Sequence, residues 1–174
     1  NSIAVGNGAQ AQGDDSISIG TGNVVTGASS GAFGDPNTVN GTGSYAFGND
    51  NTIDADNAFV LGNNVTIAAG LDGAVALGND SVVAAPNPTA GTTINGTTYT
   101  FAGATPTSVV SVGSPGSERQ ITNVAAGRVD ATSTDAVNGS QLFATNTAVT
   151  ALGTTVTNLG TSVADGLGGT SSYD

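Results

Sequence analysis

The chain contains no cysteine, histidine, methionine, tryptophan or lysine. Without cysteine there is no disulfide framework and no thiolate zinc site. Without histidine as well, neither a Ser-His-Asp nor a Cys-His nucleophile can be assembled. The only basic residues are Arg119 and Arg128, against 13 acidic ones, giving a formal net charge of −11. Phosphate neutralisation needs Lys and Arg, so nucleic acid is not expected as a partner, nor is electrostatic contact with a membrane surface. No apolar run approaches the roughly 20 residues of a membrane helix, and no secretory leader is visible. Acidity with few aromatics can signal disorder, but regular apolar columns argue for a folded array.

What is plentiful is glycine, 27 of 174 residues, and it keeps a period. Ser2-Ile3-Ala4-Val5-Gly6 recurs as Ser16-Ile17-Ser18-Ile19-Gly20, Ser30-Gly31-Ala32-Phe33-Gly34, Ser44-Tyr45-Ala46-Phe47-Gly48, Ala58-Phe59-Val60-Leu61-Gly62 and Ala74-Val75-Ala76-Leu77-Gly78. The glycines stand 14, 14, 14, 14 and 16 residues apart. Such a period marks a repeat in which each unit buries its apolar face only by stacking on neighbours. The positions one and three before the glycine are apolar, Gly31 excepted, with small residues between them. That alternation predicts a short strand with one buried face, the large apolar residues inward. A second apolar column, Ala11, Val25, Val39, Ile53, Ile67 and Val83, predicts a second inward-facing strand five residues after each glycine. Turn formers such as Gly48-Asn49-Asp50-Asn51 separate the two. Two strands and two turns per 14 residues make one coil of a parallel β-solenoid, rising roughly 4.8 Å per layer. So thin a solenoid has little interior, and a second apolar surface packed against other chains is expected.

The period breaks after Ala85. Pro86-Asn87-Pro88 leads to Thr92-Thr93-Ile94-Asn95-Gly96-Thr97-Thr98-Tyr99-Thr100-Phe101, where Asn-Gly between β-formers signals a hairpin. The strand phrase returns as Ser108-Val109-Val110-Ser111-Val112-Gly113, so an excursion of 86–107 interrupts the seventh coil and 108–114 completes it. Both arginines fall in the segment 115–134, which suggests buried or interchain pairing among Glu118, Arg119, Arg128, Asp130 and Asp135, since the guanidinium fork suits interface carboxylates. From 135 to 165 the period becomes helical, with Ser133, Thr134 or Asp135 as N-cap. Leu142, Val149, Leu152, Val156, Leu159 and Val163 fall on a heptad seam, with the valines at a and Leu152 and Leu159 at d. Gly139, Gly153 and Gly160, with many threonines, make a poor isolated helix, so it should form only in a bundle. A Gly-rich connector over 166–174 closes the chain, which reads as a piece of something longer.

These features resemble the trimeric autotransporter adhesins with a YadA-like head. Asn1-Ser2-Ile3-Ala4-Val5-Gly6 and its repetition over 1–85 resemble the left-handed parallel β-roll of those heads, and the excursion resembles their head insert. Glu118-Arg119-Gln120-Ile121-Thr122-Asn123-Val124-Ala125-Ala126-Gly127, followed by Thr134-Asp135-Ala136-Val137-Asn138-Gly139-Ser140-Gln141-Leu142, resembles their neck. The resemblance implies a mainly β fold: a β-roll of 14-residue coils in a homotrimer, then a neck and a short parallel trimeric coiled coil. It further implies a non-enzymatic surface adhesin of a Gram-negative bacterium, held in the outer membrane by a C-terminal barrel absent from this segment. Host matrix proteins or cell-surface receptors would be its partners, with autoaggregation a further use. Val at a with Leu at d favours two-stranded coils, so the number three comes from the resemblance.

No cofactor, metal or catalytic residue is expected. Asp14-Asp15 and Asp54-Ala55-Asp56 place carboxylates together but in turns, where solvated loop residues are the simpler reading. Gly-rich turns lack the Gly-Lys-Ser/Thr of a phosphate loop. Calcium-binding β-rolls carry Asp at a fixed place, whereas the position two after the glycine reads Gly8, Gly22, Pro36, Asp50, Asn64 and Asp80. The column Thr38, Thr52 and Thr66 reads as an outward β-branched ladder, with an ordered-water template as the alternative. The candidate adhesive face is the repeat phrase itself, at Asn1, Ser2, Ser16, Ser30 and Ser44. The competing reading is a spacer that presents a distal binding domain and itself binds nothing.

Overall fold

The computed structural model describes residues 1–168; of the expected connector, 169–174 lie outside the described residues. The chain divides into two compact units, Asn1–Gln120 and a second beginning at Ile121.

In the first unit each repeat supplies two short strands. The strands that open the repeats are β1 (Ile3–Val5), β3 (Ile17–Gly20), β5 (Gly31–Gly34), β7 (Tyr45–Phe47), β9 (Phe59–Leu61) and β11 (Val75–Leu77), followed after the excursion by β14 (Val110–Ser111). They pair in that order as one seven-stranded parallel sheet. The second strands, β2 (Gln10–Ala11), β4 (Val24–Val25), β6 (Asn37–Val39), β8 (Asn51–Ile53) and β10 (Thr66–Ile67), form a five-stranded parallel sheet. The register follows the period: Ile3 pairs with Ile17, Ile17 with Gly31, Gly31 with Tyr45, Tyr45 with Phe59, Phe59 with Val75 and Val75 with Val110. The first unit is therefore a parallel β-solenoid, as the periodicity predicts.

The facing of the first strand is the reverse of the expected one. Ser18, Ala32, Ala46, Val60 and Ala76, the middle residues, are buried, while Ile3, Val5, Ile19, Leu61 and Leu77 beside them are exposed. The reason is space. The opposite wall already contributes Val25, Val39, Ile53 and Ile67, together with Asn23, Asn37 and Asn51, all buried. Between sheets so close the inward residue is no larger than Val60, and period-2 geometry then turns its two neighbours outward. The inward direction of the Val25–Ile67 column and the outward direction of Thr38, Thr52 and Thr66 agree with expectation.

Close stacking also explains the glycines. A Cβ at Gly6, Gly20, Gly34 or Gly48 would overlap the carbonyl oxygen of the glycine one coil on, and these residues hold φ of 126° to 134°. A second column, Gly13, Gly27 and Gly41, approaches the next coil equally closely. Gly31 breaks the apolar pattern for another reason: the Tyr45 ring lies over it, 2.7 Å from where a Cβ would stand.

The excursion carries an antiparallel hairpin, β12 (Gly91–Ile94) and β13 (Thr97–Thr100), with Asn95 at φ 48° and Gly96 at φ 79° in its turn. Two positive φ values in a two-residue turn match the right-handed twist of the strands. Val75 and Ala76 pair directly with Val110 and Ser111 across the inserted residues, so the stack continues as if the excursion were absent.

Among the described residues the second unit carries one helix, α1 (Gly139–Leu167). Its N-cap is Asn138, not Ser133, Thr134 or Asp135. Asn138 and Gln141 form a capping box, whereas Asp135 is engaged by Arg128. The start therefore falls four residues later than expected. Seven Ser or Thr hydroxyls along the helix, Thr150 Oγ1 to the Asn146 carbonyl among them, donate to the carbonyl one turn back. None of its described residues is buried.

Candidate adhesive and assembly surfaces

Two faces of the solenoid point away from its interior, and they differ in chemistry. On the seven-stranded sheet the outward residues are apolar: Ile3 is 53% exposed, Val5 56% and Leu61 54%. Aromatics form its middle, with Phe33 and Phe47 stacked at 4.6 Å and 3° and Phe59 tilted on Phe47 at 5.6 Å. A continuous apolar face on a water-exposed sheet marks a contact surface.

The five-stranded sheet turns Thr38, Thr52 and Thr66 outward, and side chains just past the ends of its strands bond to one another in register. Thr26 Oγ1 donates to Asn40 Oδ1 at 2.7 Å, and Asn40 Nδ2 donates to Asp54 Oδ1 at 2.7 Å. At the turns, the Thr42 amide donates to Asp56 and the Asp56 amide to Asp72. The carboxylates of Asp54 and Asp56 thus belong to separate inter-coil ladders rather than to one acid/base pair. Among the described residues no group of three or more His, Cys, Asp or Glu is placed to hold a metal ion.

The serine column does not belong to either face. Ser16, Ser30 and Ser44 are buried, so they are corrected from adhesive candidates to interior residues. Ser30 Oγ donates to the Gly41 carbonyl and accepts from the Ser44 amide, and Ser44 Oγ repeats this with Ala55 and Ala58. Stacked coils leave these hydroxyls facing backbone rather than solvent. Asn1 and Ser2 are exposed, though Ser2 Oγ also donates to the Gly13 carbonyl at 2.8 Å.

The interior also holds a buried asparagine ladder, which the apolar periodicity does not predict. Asn37 Nδ2 donates to Asn23 Oδ1 and to the Gly48 carbonyl, and Asn51 Nδ2 donates to Asn37 Oδ1 and the Gly62 carbonyl. The signal was present as Asn23, Asn37 and Asn51 at the 14-residue spacing. It is masked because asparagine following Gly22, Pro36 or Asp50 reads as a turn residue.

Of the charged residues expected to pair between chains, one pair forms within the chain. Arg128 Nε and Nη2 donate to Asp135 Oδ2 and Oδ1 at 2.8 and 3.0 Å. The guanidinium holds the Asp135 carboxyl below its ordinary range, and the carboxylate raises Arg128. Asp130 is also lowered, first by the Thr132 hydroxyl, and Glu118 is lowered first by the Gly116 amide; both serve local turns. Arg119 meets backbone carbonyls and a hydroxyl in place of a carboxylate. Gln141 locks the segment before the helix, accepting from the Gly127 amide and donating to its carbonyl. The seam residues Leu142, Val149, Leu152, Val156, Leu159 and Val163 are all exposed on α1.

Comparison with known proteins follows the same division. Residues 120–165 match the family described as the coiled stalk of trimeric autotransporter adhesin. Residues 1–23 match two copies of the YadA head domain repeat. The autotransporter adhesin BtaE of Brucella suis biovar 1 (strain 1330) is 66% identical over 61 residues, which are 35% of this chain and 8% of that protein. The C-terminal YadA-like domain of a Burkholderia pseudomallei protein is similar in structure, with a TM-score of 0.65 and 46% identity over 72% of this chain and 57% of that one. The chain thus spans little of the curated relative and over half of the solved one.

Proposed function

Since the chain belongs to the trimeric autotransporter adhesins, with a YadA-like head followed by the start of a stalk, we propose that it acts as one third of a surface head that attaches a Gram-negative cell to host matrix or cell-surface receptors. The apolar outward face of the seven-stranded sheet is the observation that carries this reading. Exposed Ile, Val and Leu side chains each forgo up to about 1.5–3 kcal/mol until they are covered. Three copies that bring these faces together cover them and leave the polar five-stranded face outward to meet a ligand. The seam on α1, equally uncovered, would associate in the same assembly as a parallel three-stranded coil. A barrel further along the polypeptide would hold the assembly in the outer membrane.

Sedimentation equilibrium should return three times the 16.6 kDa chain mass; a stable monomer at micromolar concentration would end the proposal. Saturable binding of that trimer to one of a panel of matrix proteins, or to cells, identifies the attachment role. The spacer reading is favoured by the outer ladders, which engage the Thr26, Asn40 and Asp54 side chains with one another. A trimer that binds nothing in the panel supports it. Autoaggregation would use the same outward face and is read from clumping of cells that display the head.

A further inference from the structure

Each coil of a solenoid satisfies the backbone of the one before it, so the last coil exposes carbonyl groups that no further coil meets. Two columns make the pattern explicit. The carbonyl of the residue before the strand glycine accepts from the glycine amide of the next coil: Phe33 from Gly48, Phe47 from Gly62, Leu61 from Gly78. The carbonyl of the residue after that glycine accepts from an amide one position further along the next coil: Asn7 from Gly22, Asn49 from Asn64, Asn63 from Asp80. By this register the carbonyl of Asn79 should accept from residue 115. That residue is proline, which has no N–H. The carbonyl of Val112 should accept from an eighth coil, but β14 is the edge of its sheet.

Both places are filled by one side chain. Arg119 Nη2 donates to the Asn79 carbonyl at 2.7 Å, and Nη1 donates to the Val112 carbonyl at 2.8 Å and to Ser81 Oγ at 3.3 Å. Ser81 stands in the column of Asn23, Asn37 and Asn51, separated from the last of them by Val65, and its hydroxyl also donates to the Leu77 carbonyl. The fork lies over Gly78, its Cζ 3.1 Å from where a Cβ would stand. We propose that Arg119 is the terminating cap of the solenoid, its guanidinium replacing the backbone N–H that Pro115 lacks and the one that an eighth coil would have supplied. A planar fork with several donors can serve two carbonyls at once, which an ammonium cannot. One of only two cations in the chain is thereby committed to ending the stack.

Hydrogen–deuterium exchange of the full chain in its native assembly tests this. Arg119→Ala should raise exchange about tenfold or more in peptides covering 74–84 and 109–113, and leave 44–54 within about twofold of wild type. Arg119→Lys, which keeps the charge and loses the fork, should give an intermediate rise in the same peptides. An even rise over all coils, no rise near the end, or full protection restored by lysine would each overturn the proposal. Should Arg119→Ala fail to assemble, the lysine variant alone decides by the location of its effect.

Discussion

Asn37→Val isolates what the interior asparagines contribute. Valine is an apt probe because Val65 already occupies the same column one coil beyond Asn51, fully buried, with its amide still donating to Asn51 Oδ1. Shape is therefore tolerated and the lost hydrogen bonds dominate. Removing the Asn37 carboxamide takes partners from the Gly48 carbonyl, the Asn51 amide and Asn51 Nδ2, and deprives Asn23 Oδ1 of one of its two donors. Stranding a buried polar group costs about 1–3 kcal/mol. With three such groups and partial relaxation, the loss is expected at roughly 3–6 kcal/mol per chain. Thr38→Val, on the adjacent outward residue, should change stability by less than about 0.5 kcal/mol. Urea unfolding followed by circular dichroism at equal chain concentration makes the comparison, concentration being fixed because association contributes to apparent stability. If Asn37→Val were no more destabilised than Thr38→Val, the ladder would be a by-product of stacking and the reasoning would fail.

Three further perturbations test other parts of the molecule. Ala46→Leu overfills the space between the sheets and should lower stability by about 1–3 kcal/mol in thermal unfolding; a neutral result would contradict the inward direction of that column. Gly31→Ala should destabilise in the wild-type background, where the Tyr45 ring occupies the site, and much less beside Tyr45→Ala; additive effects in this double-mutant cycle would refute the contact. The Arg128–Asp135 contribution should be fully present above the ordinary carboxylate range and disappear as pH falls through the lowered value of Asp135. An NMR titration of that carboxyl should show a midpoint below an unpaired aspartate, and a midpoint at or above it would refute the pairing.

The solenoid was legible because one glycine column keeps its spacing while the residues beside it vary only in apolar kind. The same pattern concealed which side of the strand is inside. Ile17 and Ile19 look like core residues by hydropathy, and only the width available between the sheets selects Ser18 instead. The serine column is concealed in the same way, since Ser30 and Ser44 are hydrophilic by type yet their hydroxyls bond to neighbouring coils. The hairpin and its Asn95-Gly96 turn were readable from local chemistry alone. Arg119 was not: its partners Asn79 and Ser81 lie 40 and 38 residues away, and carbonyl groups leave no mark in a sequence. The Asn138-Gly139-Ser140-Gln141 capping box was written plainly but lay behind three earlier cap-like residues.

The fit of one coil on the next sets a rule for how such a head can change length in evolution. Because a Cβ at Gly20 or Gly27 already overlaps the following coil, a single inserted residue would throw every later glycine, serine and asparagine out of its column. Duplication or loss of a whole coil leaves each column intact and moves the tip by one layer, roughly 4.8 Å. The 16-residue coil shows the exception. Its two extra residues fall between Ile67 and Leu71, where a Cβ at Gly70 would meet nothing, and the Asp56–Asp72 and Asn63–Asn79 contacts resume beyond them. Reach is therefore inherited in steps, and tolerance of irregular insertions is confined to corners such as this one and the site of the β12–β13 excursion.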